Sequence, residues 1–304
     1  MNNSRSKIIS SGIELLELRY SESSVIMCRW LAYHGDPIKL SRLILSPKHS
    51  LIDQSTNTQM NYNDSGALLQ INGDGFGAGW YTGQEQACVV KGREPVWNDN
   101  NFINISKQTE SGLFMAHVRL TTTGEVHREN SHPFSYKNWI FQHNGSISEF
   151  PKVRRDLQVD IAPDLYPELK GNTDSETIFL LALTYGLNEQ PKKALRLTIK
   201  RLQQAAKDNN TDGGLNLSCA MSDGKNLYTI RFGENVEQTN TQFYSENSTC
   251  LEDFASKCTP LPKQSVVVVS EPLDGLTSKW NKVPENSFLK ISNDEVIIQD
   301  LMEI

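Results

Sequence analysis

Between residues 173 and 207 the chain carries two helical patterns in succession, and on both sides of them the pattern is that of strands. This order constrains the fold more than any other feature of the sequence. Thr173-Asp174-Ser175-Glu176 has the form of a capping box, offering side-chain acceptors to the orphan N–H groups of a helix start, ahead of the apolar run 178–183. The second pattern, 191–207, opens on proline and sets Leu195, Ile199 and Leu202 on one face. Upstream, 28–33, 113–120 and 139–142 read as strands; downstream, 215–221, 226–232, 242–245, 266–270, 288–291 and 296–298 do. No low-complexity linker or internal repeat interrupts them. Strands, two helices, then strands predict one α+β domain spanning 28–304.

Several functional classes are disfavoured at once. A net charge of -6 with no basic run argues against nucleic acid as a partner. No apolar stretch approaches the ~20 residues of a membrane helix. The five cysteines, Cys28, Cys88, Cys219, Cys250 and Cys258, are scattered and include no C-x-x-C pair, which suits a reducing cytoplasm and argues against a zinc site. Glycine recurs at every second position from Gly73 to Gly79, but this is not the G-x-G-x-x-G of a dinucleotide site. It marks either a turn entering a bare-faced strand or the close approach of a backbone or substrate. No metal or cofactor is expected.

The dipeptide Met27-Cys28 gives residues 1–27 their interest. The segment has Arg5 and Lys7 near its start, but Glu14 and Glu17 break the apolar stretch that a secretion signal would need. It reads as a start assigned too early, a cleaved propeptide or a retained extension. In the first two cases Cys28 carries a free α-amine beside its thiol. Such an amine, titrating near about 7.7–8.0, is well matched to a thiol near about 8.5 for proton exchange.

The remaining polar residues gather in three clusters: His117-Val118-Arg119-Leu120-Thr121-Thr122; Asn130-Ser131-His132-Pro133, leading into His143-Asn144-Gly145; and Thr173-Asp174. With Cys28 in front, they resemble in content and order the glutaminase domain of class II glutamine amidotransferases, which are N-terminal-nucleophile hydrolases. Arg29 after the cysteine, Pro47-Lys48-His49-Ser50-Leu51-Ile52, the alternating glycines and Ser270-Glu271-Pro272-Leu273 resemble the stand-alone branch, which includes γ-glutamyl hydrolases of thiol metabolism.

The resemblance implies a four-layer αββα sandwich. It implies that the Cys28 thiolate attacks a γ-amide carbon to give a γ-glutamyl thioester, with the Asn144 amide and Gly145 N–H as oxyanion hole. Arg119, helped by Thr122, would hold the substrate α-carboxylate and Asp174 its α-ammonium. The substrate is then a small γ-glutamyl compound, the leaving group ammonia or an amine, and any ammonia acceptor a separate partner subunit. Each residue also has a plainer reading: Cys28 as a buried thiol, Asn144-Gly145 as a turn, Arg119 as an ion-pair partner, Asp174 as a helix cap. A catalytically silent γ-glutamyl-binding or regulatory subunit stays open, as does a Cys–His hydrolase using His132 or His143, although the family uses neither as base.

Overall fold

The computed structural model describes residues 28–60, 71–121, 125–211, 214–234, 239–245, 249–253, 255–274, 280–292 and 295–303. In chain order the first half contains β1 (Arg29–Lys39), α1 (Ser41–Ile44), α2 (Leu51–Gln54), β2 (Phe76–Trp80), β3 (Cys88–Gly92), α3 (Asn100–Gln108), β4 (Glu110–Val118), β5 (Phe134–Tyr136) and β6 (Trp139–Ile147). Three helices follow: α4 (Phe150–Gln158), α5 (Asp174–Thr184) and α6 (Pro191–Asp208). The strands after them are β7 (Leu215–Ser222), β8 (Leu227–Gly233), β9 (Phe243–Ser245), β10 (Cys250–Glu252), β11 (Cys258–Pro260), β12 (Ser265–Val269), β13 (Trp280–Lys282), β14 (Ser287–Ser292) and β15 (Glu295–Asp300).

Two antiparallel sheets form the middle of the molecule. One has seven strands in the order β13-β9-β12-β1-β4-β2-β3, the other six in the order β15-β14-β8-β7-β6-β5. Successive side chains of a strand point to opposite faces, and β1 shows what this does. Trp30 and Ala32 join Met115, Ile140, Ala220 and Val268 in the core between the sheets. Leu31 and Tyr33 face outward, where Leu43, Ile44, Leu51 and Phe102 of the short helices α1 to α3 cover them. The outer face of the six-stranded sheet is covered by α4, α5 and α6 through Val153, Leu157, Phe179, Leu195, Ile199 and Leu202. The layers are helix, sheet, sheet, helix: the αββα sandwich.

Helix α5 is buried on every side from Asp174 to Leu183, as a helix at the centre of a three-helix layer must be. Its start departs from the reciprocal capping box. Thr173 Oγ1 accepts from the Glu176 N–H at 3.2 Å, but the Glu176 carboxylate turns to the N–H groups of Lys170 and Gly171, at 3.0 and 2.7 Å. It therefore fastens the approach to the helix rather than the cap. Four helices, the short α1 and α2 and the longer α3 and α4, lie where the sequence pattern predicts none. A disulfide joins Cys250 to Cys258 across the ribbon β10-β11, with Cα atoms 5.6 Å apart, so two of the five scattered cysteines are paired. Among the described residues no helix is long and apolar enough to cross a membrane.

Candidate active site

Cys28 stands immediately before β1, in step with Trp30 and Ala32, and is half-buried. Its Sγ lies 3.4 Å from both the N–H and the carbonyl oxygen of Leu120, two residues past the end of β4. Burial pushes the thiol up; the Leu120 N–H and the charges of Arg119 and Arg29 pull it down, and Asp174 opposes them. The remaining free cysteines differ in setting: Cys88 is exposed and Cys219 is enclosed in the helix-side core.

The 119–121 segment is held by the glycine-rich loop. The Arg119 N–H donates to the Gly75 carbonyl at 2.8 Å, the Asp74 N–H to the Arg119 carbonyl at 3.0 Å, and the Thr121 N–H to Asp74 Oδ2 at 2.8 Å. The approach anticipated for the glycine run is made by backbone: a Cβ on Gly77 would lie 2.2 Å from the His132 carbonyl oxygen. Asp74 is an acid between two glycines whose part in the site shows only in the fold, through its bonds to Arg119 and Thr121. Arg119 is buried, and Nη1 donates to the Glu125 carbonyl at 3.2 Å. Burial lowers its pKa, while Cys28, Asp74 and Asp174 act the other way. Thr122 lies outside the described residues.

Strand β6 is tied over this end of the seven-stranded sheet at two points. Gln142 Nε2 donates to the Leu31 carbonyl at 2.9 Å, and His117 Nε2 lies 3.2 Å from the His143 carbonyl oxygen. These ties carry Asn144 and Gly145 toward Cys28. Asn144 is buried, and neither its Nδ2 nor its Oδ1 has a hydrogen-bond partner among the described residues. Gly145 has φ +149°, and a Cβ there would meet the Asn216 carbonyl oxygen at 1.8 Å, so only glycine fits.

Asn144 and Gly145 lie within β6, paired with Ser218 and Leu217 of β7, rather than in a turn, and the histidines surround this stretch of strand without touching the thiol. His143 Nδ1 lies 2.9 Å from Ser175 Oγ, and the His117 and His132 rings pack at 4.2 Å. Burial pushes His117 down to about 3 and lowers His132 and His143 as well, in the last case against the charge of Asp174. All three are neutral near pH 7. No His hydrogen-bonds Cys28 among the described residues, which removes the geometric basis for a Cys–His dyad in this state of the protein.

Asp174 is the first residue of α5 and is buried. Its Oδ2 accepts from the Ile147 N–H at 3.0 Å; its Oδ1 accepts from the Ser175 N–H at 2.7 Å and from Ser175 Oγ at 3.2 Å. A carboxylate has about four acceptor positions, so three donors leave one for a ligand. The carboxylate thus joins α5 to β6 two residues after Gly145. Cys28, Arg119, Asn144, Gly145 and Asp174 gather at one end of the sandwich, from two elements (β6 and α5) and the segments flanking β1 and β4.

Residues 51–301 match the family model described as "Glutamine amidotransferases class-II". The chain is 30% identical over 306 residues to "Probable glutamine amidotransferase DUG3" of Saccharomyces cerevisiae, covering 91% of this chain and 85% of that protein. It is 24% identical to the "Gamma-glutamyl-hercynylcysteine sulfoxide hydrolase" of Mycolicibacterium smegmatis, covering 90% of this chain and 100% of that one. Among solved structures, a glutamine aminotransferase class-II domain protein from Silicibacter pomeroyi superposes with TM-score 0.65 at 29% identity, over 90% of this chain and 99% of that one. The glutamine phosphoribosylpyrophosphate amidotransferase of B. subtilis shares the fold, with TM-score 0.59 at 14% identity, over 91% of this chain and 50% of that one. The chain is an enzyme of the amidohydrolase type and belongs to the class II glutamine amidotransferases.

Proposed function

We propose that the mature protein begins at Cys28, as a single domain over 28–304 without residues 1–27, and hydrolyses γ-glutamyl amides through the N-terminal thiol. The observation that carries this reading is the Asn144 side-chain amide, buried without a partner among the described residues beside the obligatory Gly145. A buried amide left unmatched is destabilising by roughly 1–3 kcal/mol, and a ligand oxygen that accepts from it accounts for its retention.

In the proposed reaction the α-amine of Cys28 takes the thiol proton as Sγ attacks the γ-carbonyl carbon. The oxyanion receives hydrogen bonds from Asn144 Nδ2 and the Gly145 N–H. Collapse breaks the C–N bond, and the proton on the α-ammonium goes to the departing ammonia or amine. Water then attacks the γ-glutamyl thioester, releasing glutamate and restoring the thiol. Arg119 takes the substrate α-carboxylate, with Thr122 assigned beside it, and Asp174 offers its remaining acceptor position to the α-ammonium. The pair selects the zwitterionic end of a γ-glutamyl compound and leaves the leaving group unspecified. Both an ammonia-yielding glutaminase, serving a separate acceptor subunit, and a γ-glutamyl peptide hydrolase fit this site; the names of the two relatives support one each.

Purified mature protein supplied with glutamine and with γ-glutamyl peptides tests the reading. Glutamate release, lost in Cys28→Ala, is the result expected. A protein that retains residues 1–27 binds γ-glutamyl compounds but does not turn them over, because the α-amine is then part of a peptide bond.

A further inference from the structure

Arg29 has no part in the chemistry above, yet it is fully buried. Strand alternation sends it to the face opposite Cys28. There its Nε donates to Glu271 Oε2 at 2.7 Å, while Nη1 turns back to the Cys28 carbonyl at 2.8 Å. Nη2 has no partner among the described residues. A guanidinium taken out of water and incompletely matched is poor value as a stabilising device.

Glu271 follows Ser270, which brackets the next residue of β1: the Ser270 N–H donates to the Trp30 carbonyl, and Ser270 Oγ accepts from the Trp30 N–H. The Glu271 carboxylate gathers four donors. They are Arg29 Nε, His49 Nε2 at 2.5 Å, the Gln59 N–H at 2.8 Å and the Met60 N–H at 3.2 Å. His49 is held from its other side by Asp53 at 2.8 Å. Four stretches of chain therefore meet on one carboxylate, and the guanidinium carries that fixed point to Cys28. The strand pairings of β1 begin only at Arg29 with β4 and at Leu31 with β12, one and three residues past the nucleophile. An N-terminal residue has a single peptide bond to locate it.

We propose that the Arg29–Glu271–His49 network is a clamp that positions the N-terminal nucleophile, with Arg29 as a positioning residue acting through the Cys28 carbonyl. The inference rests on Cys28 being that nucleophile. It explains why arginine stands there: a planar fork reaches carboxylate and carbonyl together with fixed directions, whereas the single nitrogen of lysine keeps the charge but cannot hold both in that geometry. A misplacement of about 1 Å at a reacting atom lowers turnover on the order of 10²-fold.

The test compares wild type with Arg29→Lys and with the double variant Arg29→Met/Glu271→Met, which removes both buried charges at similar volume. Each is checked for folding by thermal melting. Glutamine turnover is measured, together with alkylation of Cys28 by iodoacetamide and by a diazoketone analogue of glutamine. The clamp requires kcat and capture of the analogue to fall on the order of 10²-fold in Arg29→Lys, with KM and iodoacetamide alkylation unchanged. Where Arg29→Lys does not fold, the double variant must show the same pattern. Wild-type kcat in the folded variant, or a loss confined to KM, overturns the clamp. Wild-type protein that neither turns over glutamine nor captures the analogue at Cys28 refutes the nucleophile assignment itself, a distinguishable result.

Discussion

Replacing Asn144 by alanine should separate stability from activity, and the structure fixes both directions. Nδ2 and Oδ1 are buried without a partner among the described residues, each unmatched group weighing against folding by roughly 1–3 kcal/mol. Alanine removes that penalty and leaves a small cavity of opposite effect, about 1–2 kcal/mol by comparison with aliphatic truncations. Melting should therefore stay level or rise, at roughly 2–4 °C per kcal/mol for a chain of this size. Catalysis should move the other way, since loss of one oxyanion donor lowers kcat by about 10²–10³-fold. Asn144→Leu, which refills the space, should melt higher still and be inactive. Steady-state kinetics on glutamine and differential scanning calorimetry on the same samples read both quantities. An Asn144→Ala protein that melts several degrees lower and keeps its kcat would show a structural amide and refute the reasoning.

Gly145→Ala should abolish soluble expression or turnover, because the new Cβ meets the Asn216 carbonyl oxygen at 1.8 Å and φ +149° adds strain of about 1–3 kcal/mol; a soluble, active variant would contradict this. Arg119→Lys should raise KM with little change in kcat, by about 10-fold or more, since a charge-assisted hydrogen bond is worth roughly 1.5–3 kcal/mol; initial rates decide it. Stability should depend on pH through His49 and Glu271. Burial alone would lower the His49 pKa, but Glu271 and Asp53 outweigh it and raise the value above 6.5, so its contribution is complete below 6.5 and fades as pH rises through the folded value. Burial would raise Glu271, but His49 and Arg29 hold it below 4.5, so its contribution is complete above 4.5 and fades on acidification. Urea midpoints should peak between these values, and His49→Asn should flatten the alkaline limb.

The parts of this account legible in the sequence are those encoded locally. The start of α5 followed from a four-residue pattern, and the polar clusters around Arg119, Asn144 and Asp174 were visible as such. The structure brings them to one end of the sandwich. What was missed is non-local or disguised. In α4 the buried Phe150, Val153 and Leu157 do have helical spacing, but Pro151 at its start masks it. Helix α3 buries only Phe102 and Ser106, too little for a periodic signal. Glu271 meets Arg29 across 242 residues, and the serine, glutamate and proline around it have no periodicity to announce a buried hub. The close approach to Gly77 was anticipated in kind, but only tertiary packing could name His132 as what approaches.

The central claim is that Cys28 is the N-terminus of the working enzyme. Mass spectrometry of protein purified from its native cells, after incubation with the diazoketone analogue of glutamine, tests it most directly. The account expects a mature chain starting at Cys28 with one adduct on that residue. An active chain that retains residues 1–27, or an adduct on another cysteine, would contradict it.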